Sequence, residues 1–149
     1  MAQRKYGNDF KIGDVYYTPA ITVTETHVVT WAGLTGDFYP LHMDKEYAGK
    51  TQFGERLAHG PLIFGLAVGL VSLAGFGEDS VIAWLGADNM RMLLPVKIGD
   101  TIRVKVEVKE QSKTKNPQKG VQLWLYNVLN QRGETVMSFD YKMLFHMRD

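Results

Sequence analysis

Residues 60–76 read Gly60-Pro61-Leu62-Ile63-Phe64-Gly65-Leu66-Ala67-Val68-Gly69-Leu70-Val71-Ser72-Leu73-Ala74-Gly75-Phe76. Proline at the first turn of a helix loses no hydrogen bond, and its fixed φ already suits the helix. With Gly60 at the cap, the stretch predicts a helix that is apolar on every side, with only Gly65, Gly69 and Ser72 as small residues between. A helix without a polar face must be enclosed. A bilayer is one enclosure, but Pro61–Phe76 would span only roughly 24 Å, against a hydrocarbon core of about 30 Å. The remaining choice is a protein that wraps this rod.

Downstream lies the material for wrapping it. Thr101–Glu110 alternates strictly, with Ile102, Val104, Val106 and Val108 on one side and Arg103, Lys105, Glu107 and Lys109 on the other. That is the pattern of a half-buried antiparallel strand. Val121–Val128 is apolar on both faces, and Thr135–Phe145 sets Met137, Phe139, Tyr141, Met143 and Phe145 on one face. Gly133 supplies a tight turn between these two strands. Val81–Leu85 and Asn89–Leu94 complete the set, with Gly86 a candidate bulge. The polar loop 111–120, with Lys113, Lys115 and Lys119, reads as a solvated hairpin end.

Upstream, Thr24 caps a helix that runs to about Leu34 and stops at Gly36. Asp44 caps a shorter one through Ala48. The segment Lys11-Ile12-Gly13-Asp14 recurs as Lys97-Ile98-Gly99-Asp100, each time before a β-rich run. Such a recurrence marks one turn type used twice. One apolar helix plus about five antiparallel strands is an α+β domain whose curved sheet wraps the helix. Its exposed edges and doubly apolar strands point to a partner subunit, a homodimer by default.

The 149 residues are 45% hydrophobic and 22% charged, with a net charge of +1 and no cysteine. These values exclude a disordered tail and a basic nucleic-acid footprint. Disulfides, thiolate metal sites and a cysteine nucleophile are excluded outright. A cytoplasmic location fits the lack of cysteine. Met1–Asn8 is polar and expected to be poorly ordered, without the pattern of a signal or transit peptide.

Chemistry concentrates in Gly36-Asp37-Phe38-Tyr39-Pro40-Leu41-His42. Pro40 argues against a regular helix between Asp37 and His42, so a stiffened loop would turn both side chains to one point. A carboxylate and an imidazole at hydrogen-bond range can hold and polarise one water. The residues alone leave open that Asp37 caps a turn and His42 is a satisfied structural histidine. His59-Gly60-Pro61 is the second cluster: amides at a helix start can stabilise an oxyanion, or simply begin a helix. His27 and His146 lack ligand spacing and read as structural.

Both clusters carry a resemblance. The stretch Gly36–His42 followed by Ala48 resembles the signature of the MaoC-like dehydratases and R-specific enoyl-CoA hydratases. Arg56-Leu57-Ala58-His59-Gly60, Leu94–Thr101 and Phe10–Asp14 are similar to further motifs of that family, in the same order, so the likeness covers nearly the whole chain. It implies the hotdog fold, a curved antiparallel sheet around one long helix. It also implies Asp37 and His42 as the catalytic pair, the Gly60 amide as oxyanion donor, and Phe38, Tyr39 and His59 as substrate contacts.

The implied reaction adds water to the 2,3 double bond of an enoyl thioester, giving an R-3-hydroxyacyl product, or removes it. No metal and no cofactor is expected beyond the coenzyme A or acyl-carrier protein that carries the substrate. Neither nucleic acid nor membrane is an expected partner, and the expected assembly is a homodimer, with a higher oligomer as the alternative. Tyr39 stands where many catalytic members carry Asn, which reshapes the pocket or weakens activity. The competing readings are an acyl thioesterase on the same fold and a non-catalytic subunit that binds acyl thioesters.

Overall fold

The computed structural model describes residues 5–77 and 79–148. The repeated Lys-Ile-Gly-Asp segment forms the same turn twice. Gly13 and Gly99 take φ of 93° and 101°, where a side chain would be strained. The Asp14 and Asp100 carboxylates each accept from the N–H of the lysine three residues earlier, at 2.8 Å. One turn launches β1 (Val15–Tyr17) and the other β4 (Thr101–Lys113), and the two strands pair antiparallel.

The sheet has six strands in the order β1-β4-β5-β6-β3, with β2 (Ile21–Thr22) pairing β4 off that path. The two short strands β1 and β2 are the ones the apolar pattern passes over, being too brief to show a period. Hairpins join β4 to β5 (Lys119–Leu129) and β5 to β6 (Thr135–His146), the second through Gly133 at φ 77°. The segments read separately as Val81–Leu85 and Asn89–Leu94 are one strand, β3 (Val81–Met92). Its register against β6 slips between Trp84 and Gly86 and again between Asp88 and Arg91. Gly86 at φ 152° and Asn89 at φ 53° accommodate those slips. Leu93 and Leu94 lie beyond its end.

The long helix, α4 (Gly60–Ala74), lies against the concave face, which makes the architecture a hotdog. Leu62, Ile63, Ala67, Leu70 and Val71 meet Val104 and Val106 of β4, Trp124 and Tyr126 of β5, and Phe139 and Tyr141 of β6 in one core. Each fully buried aliphatic or aromatic side chain contributes about 1.5–3 kcal/mol. The expectation that α4 is enclosed on all sides fails within one chain. Gly65, Gly69 and Ser72 are exposed, and Leu73 is 75% exposed. The sheet covers one side of the rod only.

Residues 1–4 of the stretch expected to be poorly ordered lie outside the described residues. From Gly7 the chain is docked: Gly7–Asp9 form a 3-10 turn, and the buried Gln122 Nε2 donates to the Gly7 carbonyl at 2.5 Å. A Cβ on Gly7 would fall 2.5 Å from the Met147 sulfur and 2.8 Å from the Phe145 Cβ, so only glycine fits there. No helix among the described residues is long and apolar enough to cross a membrane.

Candidate active site

Asp37 is delivered by the end of a helix. Thr24 caps α1 (Glu25–Thr35), and its N–H donates to His27 Nδ1 at 2.9 Å, which gives His27 its structural role. Gly36 at φ 81° terminates the helix in the left-handed conformation, its N–H donating to the Ala32 carbonyl. The chain then runs through Asp37 and Phe38 to α2 (Pro40–Met43). Here the expectation of an irregular loop is corrected. Pro40 occupies the first position of that helical turn, where its fixed φ starts the helix instead of breaking it. His42 therefore sits on a helical turn. Asp44 caps the next short helix, α3 (Lys45–Gly49), through Oδ1, which accepts from the Glu46 and Tyr47 amides at 2.9 Å.

Groups from a different segment orient His42. Its Nδ1–H donates to the Leu57 carbonyl at 2.8 Å, which leaves Nε2 with a free lone pair. Arg56 Nε donates to the His42 carbonyl at 2.7 Å, and its guanidinium forks onto Glu25 at 2.9 and 3.0 Å. Arg56 thus ties α2 to α1. The sequence reading placed Arg56 and Leu57 in a motif but assigned them no role. A carbonyl that accepts from a side chain leaves no trace in residue type, so nothing in the sequence could have marked Leu57. The His42 pKa is lowered, chiefly by burial; the nearby His59 also lowers it, while the Leu57 hydrogen bond and Asp37 act the other way.

A carboxylate oxygen of Asp37 and one ring nitrogen each of His42 and His59 lie within 4.8 Å of one another. Two groups no farther apart than that are within reach of one bridging water, which makes two bonds of roughly 2.8 Å. The two imidazoles stack, with centroids 4.0 Å apart and planes 28° apart. A cation bound to a histidine lies in the ring plane along the lone pair, about 2.0–2.1 Å from nitrogen for zinc. Two face-to-face rings cannot both direct lone pairs at one such point, so the trio is poorly shaped for a metal.

His59, expected among the substrate contacts, is fully buried behind His42, its Nε2–H donating to the Asp37 backbone carbonyl at 2.9 Å. Phe38 and Tyr39 are at the surface, 58% and 53% exposed. The Tyr39 ring meets His42 edge-on at 5.9 Å, and its hydroxyl lies 3.4 Å from that of Tyr47. Gly60, expected as the cap, is the first residue of α4, with His59 as the cap. The Gly60 amide belongs to the first turn of the helix, where N–H groups have no intrahelical acceptor.

His42 and Gly60 line a common cleft of about 320 Å³ with Phe53, Leu57, Met92 and Leu94. A second cavity of about 320 Å³ lies toward the other end of α4, walled by Val71, Trp124, Tyr126, Tyr141 and Met143. The structure therefore brings Asp37, His42 and His59 into one cluster, and puts His42 and Gly60 on one cleft. Lys113, Lys115 and Lys119 stay exposed at the far hairpin, as expected of a solvated loop.

Comparison with known proteins identifies the family and the fold. Residues 8–125 match the family described as MaoC like domain. The chain is 42% identical over 109 residues to Protein MaoC of Klebsiella aerogenes, a match covering 73% of this chain and 32% of that protein. It is 37% identical over 81 residues to the (R)-specific enoyl-CoA hydratase of Aeromonas caviae, covering 54% of this chain and 58% of that one. The chain thus spans only about a third of the length of the first of these relatives and under three fifths of the second. Among solved structures, the monoamine oxidase regulatory protein from Archaeoglobus fulgius superposes with a TM-score of 0.92 at 40% identity, covering 100% of this chain and 99% of that one. With the family match spanning most of its length and the fold reproduced throughout, the chain belongs to the MaoC-like dehydratase and hydratase family.

Proposed function

We propose that the chain adds water to the 2,3 double bond of an enoyl thioester, or removes it in reverse, with an R-3-hydroxyacyl thioester as the hydrated partner. The observation that carries this reading is the His42 Nδ1 bond to the Leu57 carbonyl, which leaves Nε2 as the acceptor of a ring that neighbours Asp37 and lines the Gly60 cleft. Between Asp37 and His42 sits the water. As its oxygen bonds to C3, one of its protons passes to the pair, and the electron pair of the double bond moves toward the thioester carbonyl. The Gly60 N–H receives that developing negative charge. One hydrogen of the water stays on the new C3 hydroxyl, a proton from the pair goes to C2, and the pair is restored. Burial favours the neutral form of His42, the form that can accept a proton.

The mainly apolar cleft suits an acyl thioester, carried by coenzyme A or a carrier protein. No redox group or metal takes part in these steps. Mixing the protein with a 2-enoyl thioester should remove the enoyl absorbance without releasing free thiol. Thiol release at the same rate would favour a thioesterase instead. Retained activity in a folded Asp37→Asn variant would sink the proposed role of the pair.

A further inference from the structure

We propose that His59 is a positioning residue that sets the place of the Asp37 carboxylate by holding its backbone carbonyl from inside the core. This inference rests on the hydro-lyase reading above and names a device of the same site.

The link from Gly36 to Tyr39 lies on the surface: Gly36, Phe38 and Tyr39 are exposed and Asp37 is half-buried. Its own hydrogen bonds are local. The Asp37 N–H donates to Thr35 Oγ1 at 3.2 Å, the Phe38 N–H to the Gly36 carbonyl at 3.1 Å, and the Tyr39 N–H to Asp37 Oδ1 at 3.3 Å. The last two stay within the link, and the first reaches only the C-terminal residue of α1. The contact that ties the link to the buried core comes from His59, 22 residues away, whose Nε2 meets the Asp37 carbonyl at 2.9 Å. A carbonyl only accepts, so Nε2 carries the proton.

His59 is itself well anchored. It is fully buried, it caps α4, and its carbonyl accepts from the Ile63 N–H at 3.2 Å. Its ring lies flat on that of His42. One side chain therefore references three things to the same helix end: the link bearing Asp37, the imidazole of His42, and the Gly60 amide that follows it in sequence. Its Nδ1 is buried with no hydrogen-bond partner among the described residues. A buried polar atom left unpaired is costly, and a residue that served packing alone would be better as a phenylalanine. Retaining the histidine makes sense for the bond at Nε2.

Two substitutions separate the hydrogen bond from the ring. His59→Gln can place an amide N–H near the position of Nε2 while losing the stacked ring. His59→Phe keeps a ring and loses the donor. In hydration of a 2-enoyl thioester, His59→Phe should lower kcat on the order of 10²-fold with KM little changed, as expected for a misplaced catalytic group. His59→Gln should recover most of that loss. Equal kcat in wild type and His59→Phe would overturn the proposal, and so would equal losses in both variants at matched thermal stability.

A second measurement is independent of turnover. The Asp37 carbonyl shares a peptide bond with the Phe38 N–H, so the Phe38 amide resonance reports the bond to His59. It should move in His59→Phe and return in His59→Gln, with the His59 ring of the wild type showing a proton on Nε2. An unmoved Phe38 resonance overturns the proposal even if the protein hydrates nothing, whereas a shifted resonance in a protein without activity would fault only the hydro-lyase reading.

Discussion

His42 is where residue-level physics reaches the chemistry. Its pKa lies below the ordinary 6.5, first because burial disfavours the imidazolium and then because of the His59 ring, against the opposing pull of Leu57 and Asp37. The base form of His42 thus persists to lower pH than for an exposed histidine. The acid limb of kcat/KM for hydration should bend below pH 6.5, and an inflection above 6.5 would contradict that role. Stability follows the same sign. Between the folded pKa and 6.5 the unfolded chain binds more protons, so this group's contribution is present above 6.5 and is lost as pH falls through that window. Replacing His42 by Gln should flatten this part of the stability–pH curve in urea melts. Asp37 and His42 stood out in the sequence as a carboxylate and an imidazole near a proline, but the residues alone left a structural role open and only the family resemblance named them a pair. The depth of His59 was not, because burial depends on what packs over a residue.

At the scale of the element, the start of α4 makes a clean test. Gly60 has ordinary helical geometry, and a Cβ there would meet only Met92, at 3.6 Å from Cγ and 3.9 Å from the sulfur. Gly60→Ala should fold with unchanged or higher stability, by up to about 1 kcal/mol, since alanine is the better helix former. The added methyl would lie against Met92, and both residues line the cleft. Hydration should therefore fall about tenfold while the thermal midpoint holds, as for a substrate displaced from its reacting geometry; wild-type turnover in this variant would show that the acyl group does not pass this wall of the cleft. Helix ends were the best-read elements, because caps are local: Thr24, Gly36 and Asp44 all act where their residue types indicate. Pro40 shows the limit. Proline both breaks a helix and starts one, and only position within the turn distinguishes the two.

For the whole molecule, the open question is what covers the far side of α4. The β3 strand is an edge of the sheet, paired only with β6 along the path of strands. Trp84, Leu85, Met90 and Met92 on it are between 43% and 55% exposed, and Leu73 of α4 is bare. An unpaired edge with large apolar side chains favours pairing with a second copy. Sedimentation should give twice the chain mass at micromolar concentration, and Trp84→Glu should shift it to the monomer. A wild-type chain that sediments as a monomer would refute the dimer.

Period and turn chemistry determined, from sequence alone, which strand faces point inward, where the apolar rod begins, and that two identical tetrapeptides make the same turn. These are properties of residues at most a few positions apart, where sterics and hydrogen bonding act without help from the rest of the chain. Tertiary structure decided what distance in sequence conceals: Gln122 on the Gly7 carbonyl, Leu57 on His42, and His59 on the backbone of Asp37. Register slips against β6, including those at Trp84/Gly86 and Asp88/Arg91, also lie within the one strand that joins two apolar runs. Each is a contact between backbone or buried groups whose cost and benefit exist only once the sheet has closed over the helix.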